Sequence, residues 1–432
     1  MSDDSKPLFS RPVLAAVMLF CTLAIWLLNL TAPSSKLPTP QIEKWTTQSG
    51  IPVTWLKQAE WQDSNKLEIR FAYRSTTTNI ALIQTTLAML MSDSLPLSTA
   101  SINQRLAPLA ASANSYYDHE NQTIGLTLSN EPQYLEPTLA LVSNWLRQPD
   151  FKPRTFDAWQ TKHQANPPLQ HELESVLFFE KANKPTNTAP SLKQVADYYH
   201  SLKSSAAGIF IVGDMSPQTK QTVEKAIDTI SQDYQLANPS AESIQYESIS
   251  STIQQNEGEL WQTRSAIALK PVSSIKEWIS LQIWGADLVS TLNQQQHIDF
   301  VQLAFTLSPQ RPWAWWNIQY ANQSLNQADN DAGPFINAKS LVFVEQIPSA
   351  NNSDTFDELL DNFKQQLEQQ ALSPTWWSYI ATQVTHEDGA LTVEQFAEGY
   401  KEAVDSFTIE DYQTALQNLL QPSSYQEIQV YQ

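Results

Sequence analysis

Two stretches of this chain repeat each other at nearly the same spacing, and that constrains the fold more than any other feature. Leu146-Arg147-Gln148-Pro149-Asp150-Phe151-Lys152-Pro153 precedes Phe156-Asp157-Ala158-Trp159, and Ala371-Leu372-Ser373-Pro374-Thr375-Trp376-Trp377 stands 221 residues further on, counted from Pro153 to Pro374. Ser191-Leu192-Lys193-Gln194 opens a helical pattern that runs into the strand Ile209-Phe210-Ile211-Val212. Thr408-Ile409-Glu410-Asp411 does the same before Glu427–Tyr431, at an offset of 217 residues. Short pairs recur by chance, but two agreeing offsets point to a duplicated unit.

The pattern between these marks alternates strand and helix. Ile51–Trp55 and Leu67–Tyr73 read as strands, the second with clean apolar alternation. Ile80–Met91, Ser101–Ala111, Tyr134–Arg147, Ser191–Lys203 and Gln218–Gln232 read as helices, and Asn114–Leu128 and Ile209–Val212 as strands. In the second half Ser265–Lys270, Phe300–Thr306, Trp313–Ala321, Lys339–Glu345 and Glu427–Tyr431 are expected to be strands. Glu277–Asn293, Thr355–Gln370, Trp376–Val384 and Thr408–Leu420 are expected to be helices. The expected fold class is α+β: two tandem homologous domains, each an antiparallel-rich sheet with helices packed on one face, after an N-terminal transmembrane helix. The domains would be residues 45–235 and 259–432, joined by a linker at 236–258 that is rich in Ser, Gln and Glu.

The N-terminus sets the compartment. Residues 13–32 carry no charge and are mostly apolar, enough for about 30 Å of hydrocarbon. Lys6 and Arg11 precede them, so residues 1–12 are expected to form a cytoplasmic tail and the bulk of the chain to lie in the periplasm or another extracytoplasmic space. Residues 33–44, with Pro38 and Pro40, read as a spacer. A cleaved signal peptide is the alternative, disfavoured by the length of the apolar run and by Pro33 directly after Ala32. The lone Cys21 excludes an intrachain disulfide and any Cys-based zinc cluster.

Composition excludes other classes. Lys and Arg total 26 and Asp and Glu 45, a net charge of −19, which argues against nucleic acid as a partner. Fourteen Trp exclude a disordered acidic chain. The Gly-rich signatures of dinucleotide, P-loop and α/β-hydrolase sites are absent.

The order of elements resembles the pitrilysin/insulinase (inverzincin) metallopeptidase superfamily, in its two-domain bacterial form. The carrying residues are Gly50-Ile51-Pro52-Val53, similar to the family's first strand, and Ile80–Ile83 with Leu87–Met91, similar to its first helix. Ser101–Leu106, Leu146–Pro153 and Ile209–Asp214 resemble the later elements of the first domain. The resemblance covers residues 45–432 and implies a zinc site, H-x-x-E-H on the first helix, with a further Glu downstream. Two imidazoles four residues apart would share one helical face, and the Glu would activate the bound water. In this chain the window 79–94 reads NIALIQTTLAMLMSDS, with no His, no Glu and one acid, Asp93. Amides, hydroxyls and hydrocarbon do not hold Zn²⁺, so no catalytic, metal or cofactor-binding residue is assigned and no cofactor is expected. The Arg and Tyr that the family places in its second domain are also missing, since residues 294–306 read QQQHIDFVQLAFT. Arg311 and Tyr320 stand at the wrong spacing.

No two of the six His lie within five residues of each other. His171-Glu172-Leu173-Glu174 and His386-Glu387-Asp388 could each offer two ligands, but a solvated polar face is the expected reading of both. No elbow motif singles out a nucleophilic Ser. Trp315 and Trp316 are strand neighbours and must point to opposite faces, so one ring would lie in the core and the other would be free for a partner or peptide. The resemblance implies a membrane-anchored, non-catalytic subunit that pairs with a zinc-bearing homologue, closes the chamber and contributes peptide-binding surface. The alternatives are a stand-alone envelope binding or scaffold protein and a hydrolase with a relocated site.

Overall fold

The computed structural model describes residues 37–62, 64–163, 169–178, 189–238, 246–247, 251–255, 262–295, 298–320, 353–386 and 389–430. The chain divides into two compact units, Met1–Pro38 and Thr39–Gln432, and all the described strands and helices lie in the second. Residues 13–32, the expected membrane span, and the expected strand Lys339–Glu345 lie outside the described residues. Among those described, no helix is long and apolar enough to cross a membrane.

The first half builds a six-stranded sheet from β1 (Gln41–Thr46), β2 (Pro52–Lys57), β3 (Lys66–Arg74), β4 (Ser112–Tyr117), β5 (Asn121–Ser129) and β6 (Ala206–Val212). Its order is β1-β2-β6-β3-β5-β4, antiparallel except for β2 beside β6. The second half builds a five-stranded sheet from β7 (Ser251–Gln255), β8 (Gln262–Ala268), β9 (Ile298–Thr306), β10 (Trp313–Tyr320) and β11 (Gln426–Val430), in the order β7-β11-β8-β10-β9. Without the edge strand β1 the two orders are the same. The opening strand lies parallel to the closing one, and the second, fourth and third follow antiparallel. The architecture is therefore α+β with two mixed, mainly antiparallel sheets of like topology.

Three sequence expectations need correction. The segment 33–44 is not wholly a spacer, because Gln41–Lys44 belong to β1, paired with β2 from Gln41 opposite Lys57. The segment 236–258 contains β7, whose register comes from β11 at the far end of the chain. Asn114–Leu128 is a hairpin, not one strand. Asp118 Oδ1 accepts the backbone N–H groups of Glu120 and Asn121, both at 2.7 Å, and this Asx-type contact turns the chain.

The helices of the first half are α1 (Ile80–Met91), α2 (Ile102–Leu106), α3 (Pro132–Arg147), α4 (Pro153–His163), α5 (Leu169–Phe178), α6 (Leu192–Lys203) and α7 (Pro217–Ser231). Those of the second are α8 (Ile275–Asn293), α9 (Ser353–Gln370), α10 (Pro374–Tyr379), α11 (Val393–Asp405) and α12 (Ile409–Leu419), with a π-turn at Ile380–Val384. Capping boxes at Ser101, Ser191, Ser274, Thr392 and Thr408 fix five of the N-termini, each hydroxyl taking the N–H three residues on.

Alternation on β3 decides which way the first sheet faces. Leu67, Ile69, Phe71 and Tyr73 are buried with Ile83, Leu87, Leu139 and Val223 in the main core, so α1, α3 and α7 cover that side. The opposite side carries Glu68, Arg70, Ala72 and Arg74, and α10 lies against β3 and β6 there. The second sheet mirrors this. Trp316 meets Trp284 of α8 edge to face at 6.2 Å, while α5 packs on the other side against β8 and β11. Each sheet thus takes its second cover from the other half, and on equivalent strands. The expectation of helices on one face only holds for each half's own helices and not for the assembled unit.

Candidate functional site

The helix at the expected zinc position is α1, and the structure makes it an internal one. Asn79 caps it by accepting the Leu82 N–H at 3.1 Å, and none of its residues is exposed. Ile80, Ile83, Leu87 and Leu90 are buried in the main core, while Ala81, Leu82, Gln84, Ala88 and Met91 are half-buried. Met89 is buried against Phe156 and Val195. Trp159 of α4 donates to the Thr85 hydroxyl at 3.3 Å. Past its end, Trp145 donates to Leu90 O at 3.1 Å and Ser94 Oγ at 2.8 Å. Asp93, the one acid of the window, accepts from Thr155 Oγ1, and its carbonyl accepts from Lys152. These residues do not fit a zinc ion, because no imidazole or glutamate stands on the helix and its sides are packed. Among the described residues no group of three or more His, Cys, Asp or Glu is placed to hold a metal.

The sequence-derived candidates go to separate places. His163 lies on α4, His171 on α5 and the exposed His200 on α6, while His297, Glu387 and Asp388 are outside the described residues. His386 donates to Leu307 O at 2.9 Å, its Nε2 carrying the proton because a carbonyl only accepts. Arg311 flanks the β4–β5 turn and Tyr320 is buried on β10. The polar face expected for His171–Glu174 needs correction, since Glu174 is buried with its Oε2 3.2 Å from Nε2 of the buried His119. Trp315 is also not free for a partner. It is half-buried against the cluster of Leu173, Leu177 and Phe178, so the chain's own α5 occupies that face.

Sequence reading passed over the acidic turn Asp118-His119-Glu120, which α5 and the β9–β10 connection enclose. Burial is the main cause that pushes the Asp118 carboxyl up to about 6, with Glu174 adding and its two N–H bonds opposing. Burial, then Asp118, pushes Glu120 up to about 7, against the Gln310 N–H at 3.1 Å and the charges of Arg311 and Arg74. Tyr116, whose hydroxyl reaches Asp118 at 3.3 Å, is held well above its ordinary value by burial. The legible signal was Asp118 three residues before Asn121 in an otherwise alternating run.

These two shifts make stability depend on pH. Both carboxyls bind protons more tightly folded than unfolded, so their contribution is full below about pH 4 and is lost as pH rises through 6 and 7. Asp118→Asn keeps the turn's acceptor without the charge. It is expected to match the parent near pH 4 and to exceed it by about 2–3 kcal/mol at pH 8, from about two pKa units at 1.36 kcal/mol each. Urea unfolding at the two pH values checks this, and a variant weaker at pH 8 would refute the sign.

Next to this turn, between the open side of the first sheet and the π-turn, lies a cavity of about 260 Å³ lined by Arg74, Asn121, Phe210, Leu236, Thr385 and His386 among others. It carries no family signature, and of its lining residues the sequence had drawn attention to His386.

No family profile matches the sequence, and no curated protein matches it. Solved structures do. The chain is similar to an inactive domain of peptidase M16 from Pseudomonas fluorescens, with 15% identity, a TM-score of 0.64, and coverage of 90% of this chain and 97% of that one. It is similar to a protease from Helicobacter pylori, with 10% identity, a TM-score of 0.66, and coverage of 91% and 100%. It is also similar to the periplasmic protease PqqL from Escherichia coli, with 13% identity and a TM-score of 0.62, where 92% of this chain matches 47% of the larger protein. At such identities the likeness concerns architecture, and the chain has the fold of the M16, pitrilysin-type peptidases, inactive members included.

Proposed function

We propose that this chain is a non-catalytic, membrane-anchored subunit of a heteromeric insulinase-type zinc peptidase, paired with a zinc-bearing homologue. It closes the chamber and contributes peptide-binding surface. The carrying observation is α1. A peptidase fold sets its first helix where the metal ligands belong, and here that helix offers hydrocarbon, hydroxyls and one amide in place of imidazole and glutamate. The inactive M16 domain among the similar structures supports the reading. The uncharged run 13–32 after Lys6 and Arg11 supports an anchor with the bulk outside the cytoplasm, and the periplasmic protease of like fold supports that compartment.

Purification of the full chain from its own membranes, at native expression, tests this. A second chain bearing H-x-x-E-H is expected at an equimolar ratio. A stable homodimer without such a chain would refute the pairing and favour a stand-alone scaffold of the envelope.

A further inference from the structure

A second cavity, of about 400 Å³, lies between α8 and α9. α8 lends it one stripe, Trp278, Gln282, Ala286 and Ser290, each four residues after the last and so on one helical face. Ala286 and Ser290 are small and exposed, and the groove opens along them. α9 answers with Asn362, Gln366 and Gln369, at the i, i+4, i+7 spacing of one face, and with the half-buried ring of Phe363. Packed helices ordinarily meet through apolar side chains, whereas the groups facing each other across this groove are mainly primary amides. At its floor Trp278 is 2% exposed, held edge to face by Phe363 at 5.9 Å and Phe396 at 5.1 Å. Its indole N–H has no acceptor among the described residues, and neither has the buried Nε2 of Gln282, one turn further on. A buried donor left unmatched is destabilising, and such groups call for an explanation. An indole N–H can only donate, so the complement it lacks is an acceptor.

We propose that this cavity binds a neutral acetylated amino sugar, a single pyranose ring whose acetamido carbonyl meets the N–H groups of Trp278 and Gln282. A carbonyl oxygen has two lone pairs and brings no proton of its own, whereas a hydroxyl at the same depth would need an acceptor in return. The acetyl methyl and the ring C–H groups pack on Phe363. The sugar hydroxyls donate and accept, as do the amides of Asn362, Gln366 and Gln369, so the two sets match without formal charge. The volume equals about thirteen waters at about 30 Å³ each, which admits one sugar ring with its substituents. The inference does not depend on the subunit reading above.

Calorimetric titration of the full chain with N-acetylglucosamine, glucose and glucosamine tests it. N-acetylglucosamine is expected to fill one site, with half-saturation at about 1 mM or below. Glucose lacks the carbonyl and glucosamine carries an ammonium in its place, so each is expected to bind about tenfold weaker or worse. That comparison reads on the unaltered chain. Trp278→Phe keeps a ring and removes the N–H. It is expected to weaken N-acetylglucosamine about tenfold and to leave glucose unchanged. Ala286→Phe, on the exposed rim, fills the groove and is expected to abolish binding. Unfolding curves establish that each variant is folded. Absence of saturable N-acetylglucosamine binding, equal binding of glucose, or binding that survives both substitutions overturns the proposal.

Discussion

Glu68→Gln is expected to cost about 3–5 kcal/mol of unfolding free energy, a cost typical of removing one partner from a buried ion pair. Glu68 is 1% exposed and Arg70 7%, and their 2.6 Å contact stands between the halves. The Glu68 oxygens also accept the Thr127 hydroxyl at 2.9 Å and, from the second half, the Thr375 hydroxyl at 2.9 Å. Burial already lowers the pKa of Arg70 against the opposing pull of Glu68, so the guanidinium depends on that carboxylate. With the charge gone, Arg70 is left desolvated beside an amide. Adding Arg70→Met to Glu68→Gln is expected to recover most of the loss, because the amide still accepts from both threonines and no buried cation remains. Urea unfolding of the single and double variants decides this. A double variant weaker than Glu68→Gln would contradict it.

Trp316→Ala is expected to cost about 3–5 kcal/mol, and Trp315→Ala about 1–2 kcal/mol, although the two rings are neighbours on β10. Trp316 is fully buried and touches Trp284 at 6.2 Å and Tyr425 at 6.1 Å, so its loss leaves a cavity at the centre of the second half. Trp315 points the other way and packs half-buried under α5, where its removal loosens one helix. Denaturant midpoints compared at constant slope measure both. Equal losses would mean that α5 is as essential to the second sheet as its own helices are.

Parts of the fold that rest on local patterning were legible in the sequence. The α1 boundaries follow from an Asn79 cap and a stretch rich in Ile, Leu, Ala and Met, and β3 follows from strict alternation between Leu67 and Tyr73. What could not be read depends on partners far away in the chain. β7 is short and polar, and it exists because β11 supplies its hydrogen bonds. β1 is an edge strand without buried residues, so its composition does not distinguish it from a spacer. The pairing of Glu174 with His119 crosses from α5 to a hairpin turn, and nothing within His171–Glu174 signals which carboxylate turns inward. The opposite facing of Trp315 and Trp316 was legible, but the occupant of the outer face was not. The missing metal ligands are a property of the window 79–94 itself. The cavity draws on residues from Pro52 to His386, and no spacing rule collects such a set.

Whether this peptidase fold carries a zinc ion of its own separates a partner subunit from an enzyme. Elemental analysis of the isolated full chain, purified without chelators, answers that question. Zinc far below one ion per chain is the expected result. One tightly held zinc ion per chain, lost together with peptide hydrolysis on chelation, would contradict the non-catalytic reading.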